Sequence, residues 1–581
     1  MRDSNEVAES GGPAVEKPEN GLAGLKHWRY DLPAGLLVSL ISVPFSLGIA
    51  VSSGAPPISG LISAIIAGLV LPFLGGSYVT VSGPAAGLAP ALFAAMILLG
   101  RGDRAVGYPL LLVAICLTGV VQVVLSRLKA ARLSAVFPSV VVEAMLASIG
   151  LMIIVKQLPD LLGRKYVAHD FFGIIAETPA RVGQMDGKVF GLAFACLSLI
   201  FGLGMIKARW MKAVRPPVIV AFVGIAMGRL VGIEPRYLVH IPDHPFAHGI
   251  VWPDFKGVWA DKSLWYGLGI TVLTLTLIDG VESLATIAAI DRIDPFHRRS
   301  NPDRTLFAMG VSNVASSLAG GLTIIPGGVK STACIAGGGR TQWANFYNAC
   351  FLLTYLFLGR DLINMIPLGS LAAILVYIGY KLCRPAVWRH AAHVGAEQLV
   401  LFVLTVAVTL CTDLLWGIVF GTVAKLILSA TLTLRAGRPT STAPASKRGR
   451  LTSACTRVLD LFRDPVTNRC FSNGVYRLDL GRPLVCFNML QMNRELVGIP
   501  FDARIVQLHM TEGVTLIDHT SHDNLTHFAA EFTRSGRGRI DFVGMDRMRK
   551  RSEHPSGIRL GSNQTDAAVV DDEPEVELDV D

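Results

Sequence analysis

Residues 320–339, GGLTIIPGGVKSTACIAGGG, and residues 79–95, VTVSGPAAGLAPALFAA, decide how the rest of the chain is read. Both stretches are apolar enough for a bilayer. Both are too rich in Gly and Pro to form one unbroken helix. Backbone without helical partners is tolerated at membrane depth only where protein or a water-filled cavity surrounds it. Two such interrupted segments, one in each half of a membrane protein, point to half-helices that meet at a transport site. The pair predicts a carrier with its solute held between the two breaks.

Working outward, the whole chain supports a membrane setting. Of 581 residues, 51% are hydrophobic and only 17% charged, against about 25% charged in soluble domains; the mean hydropathy is +0.49. Apolar runs fall near residues 33–52, 58–75, 84–99, 108–126, 138–158, 187–206, 216–233, 265–290, 304–320, 328–338, 343–359, 362–381, 397–411 and 412–433. A full span needs about 20 residues, so 84–99 and 328–338 are short, as half-helices are. The polar stretch from 233 to 262 divides the run into residues 25–233 and 262–434, seven segments each, with a broken third segment in both. No residue-level repeat accompanies that symmetry.

Charge placement tests the count. Lys26 and Arg29, then Arg127, Lys129 and Arg132, then Lys207, Arg209, Lys212 and Arg215, then Arg292, Arg298, Arg299 and Arg304, then Arg384 and Arg389, then Arg435 and Arg438 share one side if every segment crosses once. The positive-inside rule puts that side, and both termini, in the cytoplasm of a cell-membrane protein. The net charge of +9 therefore reads as orientation, not as nucleic-acid binding. Residues 1–24 read as a disordered cytoplasmic tail without the apolar core of a signal peptide. The nine Cys are scattered, with no CxxC pair, which predicts neither disulfides nor structural zinc. Past the spans, 435–470 reads as a linker. A small α/β domain is expected over 471–548, with strands at 475–480, 484–487, 505–509 and 540–543 and helices at 489–496 and 522–534. Residues 549–581 read as a disordered acidic tail.

Candidate chemistry is confined to a few residues. Asp279 and Glu282 interrupt an apolar run, where a charge costs about 2.5–3.5 kcal/mol on insertion scales. Glu282 and Thr286 are four apart and share a helix face, so they suit Na⁺ or a transferred proton, with Asp279 as a further candidate and a buried carboxyl bonded to neighbouring backbone as the structural alternative. At the second break, a helix starting near Val329 would aim its N–H groups into a cavity, which attracts anions. Gly327, Gly328, Val329 and Lys330 are the candidate contacts. The alternatives for Lys330 are an ion pair with Glu282 and a side chain reaching an interface. The same logic assigns Ser82, Gly83, Pro84 and Ala85 at the first break, with Pro84 in a first helical position. GGVKST lacks the GxxxxGK[ST] spacing of a phosphate-binding loop, since Val329 separates Gly328 from Lys330. His240, His244 and His248 sit near Pro242 and Pro245 and read as a surface loop, and His390 and His393 as residues at a membrane surface. No catalytic set stands out, so an enzyme is not expected, and neither is a cofactor beyond a coupling ion.

With these motifs in hand, the chain resembles the SulP family of inorganic anion transporters from about residue 25 to 544. LPAGLLVSLISVPFSLGIAVSSGAPPISGL is similar to the family's first two helices, FLGGSYVTVSGP to the approach to the third, IDGVESLATIAAID to the eighth, and GGLTIIPGGVKSTACIAGGGRT to the tenth. The resemblance implies seven plus seven inverted repeats split into core and gate domains. It implies Na⁺ contact at Glu282 and Thr286, backbone oxygen from Pro326, Gly327 and Gly328, and anion contact at Lys330, where animal members place Arg. Ala85 and Gly328 stand where bicarbonate-transporting members carry Thr, which leaves substrate and Na⁺ dependence open. Lys for Arg keeps the charge and loses the bidentate fork. VYRLDLGRPLVCFNM and IVQLHMTEGVTLIDHTSHDNL resemble a STAS domain, which implies a homodimer or a regulatory role. Ser521, or equally Thr520, lies near a position phosphorylated in bacterial relatives of that domain, with a plain helix cap as the alternative.

The expected function is uptake of a small oxyanion, sulfate or bicarbonate, coupled to Na⁺ or H⁺. A nucleobase–cation symporter of the same fold and a non-transporting anion sensor are the alternatives.

Overall fold

The computed structural model describes residues 18–84, 86–129, 138–168, 170–205, 216–241, 250–296, 298–412, 414–436, 456–534 and 536–561. Most of the N-terminal tail, Ala85, Arg132, the basic residues at 207–215, His244, His248, Arg438 and the acidic end lie outside the described residues.

Every expected span coincides with a helix. They are α1 (Trp28–Ser52), α2 (Pro57–Leu74), α3 (Ala89–Leu99), α4 (Arg104–Arg127), α5 (Ser139–Lys156), α6 (Gly187–Met205) and α7 (Pro216–Val231). The second set is α8 (Leu264–Ile293), α9 (Pro302–Leu318), α10 (Gly328–Ala336), α11 (Trp343–Leu358), α12 (Leu368–Cys383), α13 (Ala396–Cys411) and α14 (Leu414–Ala436). Among the described residues, eight helices are long and apolar enough to cross a membrane, and three shorter ones are apolar. Side chains cap two of the starts. The Asp103 side chain accepts from Ala105 N at 2.8 Å, and Asn301 accepts from Arg304 N at 3.0 Å with Pro302 behind it in the first turn, where a missing N–H costs nothing.

The contacts reveal the repeat that the residues hide. Helix α1 packs on α2, α10 and α11, while α8 packs on α9, α3 and α4. Helix α11 packs on α2 as α9 packs on α4. Each contact has a counterpart seven segments further on, and α6 with α7 corresponds to α13 with α14. Because no hydrophobic drive exists between helices in lipid, such contacts depend on close approach of small residues. The α4–α9 crossing shows this: a Cβ at Gly119 would lie 2.6 Å from Gly310 O, and one at Gly310 would lie 2.6 Å from Gly119 O.

The described chain divides into two compact units, Met1–Ala131 with Ile149–Lys381, and Arg132–Ser148 with Leu382–Asp581. In the first, the closing Gly-Gly-Arg-Thr turn is tied to α1, since Asp31 accepts from Arg340 N at 2.6 Å and Thr341 N at 3.1 Å. In the second, strands β3 (Val466–Ser472), β4 (Val475–Leu480), β5 (Ile505–Met510) and β7 (Arg539–Val543) form a sheet in that order. The pair β3–β4 is antiparallel and β4–β5 and β5–β7 are parallel. A second small sheet joins β6 (Leu516–Ile517), β9 (Arg559–Leu560) and β8 (Arg549–Lys550). Helices α15 (Met489–Val497) and α16 (His519–Arg534) bury Met489, Met492, Leu496, Leu525 and Phe532 with Leu478, Val506 and Leu508 of the sheet.

Three expectations at this end are corrected. Residues 484–487 form no strand: Leu484 makes one bridge to Ile517 and Cys486–Asn488 turn into a 3₁₀ helix. Part of the stretch read as linker, 466–470, is strand β3, whose exposed polar residues hid it; only Val466 at its start is buried. Part of the stretch read as tail, 549–560, supplies β8 and β9. Leu426, Leu428, Ala430 and Leu432 of α14 also pack with Leu461, Val485, Phe487 and Leu516, so the last turns of that span serve the C-terminal domain's core.

Candidate anion-binding site

The two breaks meet. Strand β1 (Ser82–Pro84) pairs antiparallel with β2 (Ile324–Pro326), in the register Ser82 to Pro326, Gly83 to Ile325 and Pro84 to Ile324. Pro and Gly deny both segments a continuous helix, and the pairing satisfies part of the freed backbone. The rest is locked locally. Gly327 N donates to Val81 O at 2.9 Å. Val81 N donates to Ser331 Oγ at 2.9 Å, and Ser331 Oγ donates to Gly327 O at 2.7 Å.

Behind β2 lies a buried polar network. Asn313 Oδ1 accepts from Ile324 N at 2.6 Å, and Asn313 Nδ2 donates to Asp279 Oδ2 at 2.9 Å and Gln122 Oε1 at 2.8 Å. Ser283 Oγ donates to Asp279 Oδ1 at 3.0 Å. Both Asp279 oxygens are thus engaged in holding the break. Gln122, Asn313 and Ser331 were not singled out by sequence reading. The available signal was a single carboxamide side chain in each of two apolar runs, Gln122 in one and Asn313 in the other.

Helix α10 begins at Gly328, with Gly327 as N-cap in an extended conformation, close to the expected start at Val329. Helix geometry leaves the N–H groups of Gly328, Val329 and Lys330 without intrahelical acceptors. The first break differs from expectation. Pro84 ends β1, and α3 starts only at Ala89, with Pro90 in the early helical place. Ala89 N already donates to Ala86 O at 3.3 Å and Pro90 has no N–H, so α3 offers fewer free donors than α10. Strand pairing holds residues 82–84 extended, and that delays the helix.

Two ionisable side chains remain at the breaks. Lys330 is 3% exposed, and its Nζ has no hydrogen-bond partner. A Cβ added at Gly83 would stand 2.5 Å from that Nζ, so the ammonium reaches across from α10 to the backbone of β1, and the missing side chain makes room for it. Glu282 lies against Gly87, where a Cβ would collide with both carboxylate oxygens, and its buried Oε2 has no partner. Thr286 follows on the same face, with Cγ2 at 3.9 Å from a Cβ built on Gly328. Ser82 Oγ is buried and unpartnered as well. No ion pair joins Glu282 to Lys330 among the described residues, which removes one alternative for that lysine. Val329 is exposed, and His240 stands apart in an exposed position. No three His, Cys, Asp or Glu among the described residues are placed to hold a metal ion.

Paired strands thus lie beside two short helices, with a buried lysine on one side and a carboxylate on the other, in a chain of many apolar helices. The chain belongs to the sulfate permease family, which it matches over residues 28–433. It is therefore a membrane anion transporter and not an enzyme. A putative sulfate transporter, YvdB, of Bacillus subtilis is 23% identical over 410 residues, covering 68% of this chain and 72% of that relative. The transmembrane domain of a cyanobacterium bicarbonate transporter, BicA, matches with a TM-score of 0.61 and 21% identity over 69% of this chain and 97% of that one. The murine anion transporter Slc26a9, in the inward-facing state, matches with a TM-score of 0.62 and 17% identity over 88% of this chain and 84% of that one. The latter two likenesses show the fold.

Proposed function

We propose that the chain is a secondary active carrier of sulfate or bicarbonate, coupled to Na⁺ or H⁺. The observation that carries this reading is the unpartnered Lys330 ammonium between the paired breaks. A buried charge without a counter-charge is costly, and a small anion would supply the missing partner. The free N–H groups at the start of α10 and the Ser82 hydroxyl complete a cradle for its oxygens. Gly83, Pro84, Gly327 and Gly328 shape that cradle through backbone alone.

Glu282 and Thr286 take the driving ion, a proton on the carboxylate or Na⁺ shared between carboxylate and hydroxyl, and the Pro326 carbonyl is assigned to the same role. Asp279 acts by position, holding Asn313 and through it β2. The relatives named for sulfate and for bicarbonate transport support both substrates. Gly328 contributes no side-chain hydroxyl to favour one. Alternating access would carry the core past the gate with the site between them. In this reading the carrier is a homodimer in the cell membrane, with both termini cytoplasmic and the C-terminal domain regulatory.

Reconstituted protein in liposomes decides the matter. Labelled sulfate and bicarbonate are offered under an imposed Na⁺ or H⁺ gradient, with uracil as competitor. Gradient-driven accumulation of one oxyanion, insensitive to uracil, is expected. Binding without accumulation under any gradient rejects the carrier reading in favour of a sensor.

A further inference from the structure

The second unit holds a cluster of titratable side chains that anion transport does not use. His390, on the helix Pro385–Val394, faces His519 at the start of α16 and His554 in the β8–β9 loop. The ring centroids stand 5.6 Å apart for His390 and His554, 6.1 Å for His519 and His554, and 6.4 Å for His390 and His519. A cavity beside them is lined by Val140, Glu143, His390, Val394, Gln398 and His519. This is also where the C-terminal domain touches the membrane helices of its own unit. Ser139 Oγ lies 3.0 Å from Thr520 Oγ1, and Ser552 Oγ donates to Val394 O at 2.6 Å.

The main chain of Ser556 engages two of the rings, one as a donor and one as an acceptor. His519 Nδ1 donates to Ser556 O at 2.8 Å, and Ser556 N donates to His554 Nδ1 at 3.2 Å. His554 Nδ1 is therefore an acceptor. A proton placed there would turn an N–H toward an N–H and break the contact. We propose that His390, His519 and His554 form a proton-operated latch that holds the C-terminal domain on helix Pro385–Val394 and α5 while neutral, and releases it on acidification.

The surrounding charges set the sign. Glu143 on α5 faces His390 and His519 and balances a first proton. Asp523 on α16 is a second acid, whose Oδ1 lies 3.5 Å from His527 Nε2. His393 adds to the positive side, as do Arg559 and Lys550 near His522. A second and third proton in the triangle have no dedicated carboxylate. Burial, followed by His519 and His390, holds the His554 pKa below the ordinary imidazole value. A group whose pKa falls on docking favours the docked state above its free value, about 6.5, and loses that contribution as pH drops. His522 is pushed down to about 4, chiefly by burial and then by Arg559 and His519; the charges around it belong to the C-terminal domain itself, so undocking leaves that shift in place and His522 is not the switch. His390 is open to solvent, which gives protons access.

Hydrogen–deuterium exchange on the full-length protein in nanodiscs at pH 7.5 and 5.5 tests the latch. After correction for the intrinsic pH dependence, amides of 519–526 and 385–394 should exchange severalfold faster at the lower pH. Amides of β4 and β5 should not change. The variant His390→Gln/His519→Gln/His554→Gln should lose the step. His554→Asn, which keeps an acceptor for Ser556 N and cannot titrate, should reduce it, and decides the question if the triple variant is unfolded at pH 7.5. A flat wild-type profile overturns the proposal, as does a step surviving in His554→Asn at full size. An equal rise in β4 and β5 also overturns it, because the domain would then be unfolding rather than undocking.

Discussion

Replacing Lys330 should separate binding from stability in opposite directions. Its ammonium is 3% exposed and lacks any hydrogen-bond partner, so its hydration has already been surrendered. Two unit charges about 4 Å apart interact by about 4 kcal/mol at an effective dielectric near 20, which is about three decades of affinity at about 1.4 kcal/mol each. Part of that gain is lost in desolvating the anion. Lys330→Gln should therefore raise the KM for oxyanion uptake by about 100-fold to 1000-fold in proteoliposomes. Lys330→Arg keeps the charge and should lose far less. The empty protein tells the other half. A buried, uncompensated charge costs about 3–5 kcal/mol, so Lys330→Gln should melt higher than wild type without anion and lose the rise in Tm that sulfate or bicarbonate gives. A lysine with a purely structural role behaves oppositely: the variant melts lower and KM stays within about threefold. That pair of results would refute the reasoning.

Other consequences are open to measurement. Glu282→Gln should keep anion exchange across the membrane and lose gradient-driven accumulation; normal coupled uptake by this variant removes Glu282 from the coupling role. Asn313→Leu strands Ile324 N, Asp279 Oδ2 and Gln122 Oε1, at about 1–3 kcal/mol for each buried group left unsatisfied. A clear fall in Tm together with a raised KM is expected, and a fall in Tm with unchanged KM would detach the network from the site. Lys425 and Asp518 form an ion pair at 3.4 Å, each side chain 1% exposed. Lys425→Ala should destabilise the packing of α14 on the C-terminal domain by about 3–5 kcal/mol, read as faster amide exchange in β6 and α16. Burial raises the Asp518 pKa, but Lys425 and the N–H groups of Ser521 and Cys486 outweigh it, and the net direction is down. Its contribution is therefore present above about pH 4 and is lost as pH falls further, which a Tm series in acid will show.

Ser521 illustrates how local reading can miss its partner. It was weighed as a helix cap and as a modification site. The cap is Asp518, whose Oδ1 accepts from Ser521 N at 2.8 Å, and the Ser521 side chain is fully buried. Thr520 instead meets Ser139, nearly four hundred residues earlier in the chain. The cap is a local contact, three residues apart, and Asp before the helix is its signal; the Thr520 contact has no local signal, because it depends on which element folds back upon which. Strand β3 was hidden for a related reason: six of its seven residues are exposed, so it carries no apolar alternation.

The sequence by itself determined the fourteen apolar segments, the two Gly-Pro interruptions and the few ionisable residues within them. Hydrocarbon admits only long apolar helices, and every exception to that rule is visible in a string of letters. Only the tertiary structure decided that the interruptions pair as strands, that Asn313 anchors one of them, that α3 starts five residues late, and that Lys330 stands unpartnered over Gly83. Those features arise from groups far apart in the chain satisfying, or failing to satisfy, one another's hydrogen bonds, and such accounting exists only once the chain has closed on itself.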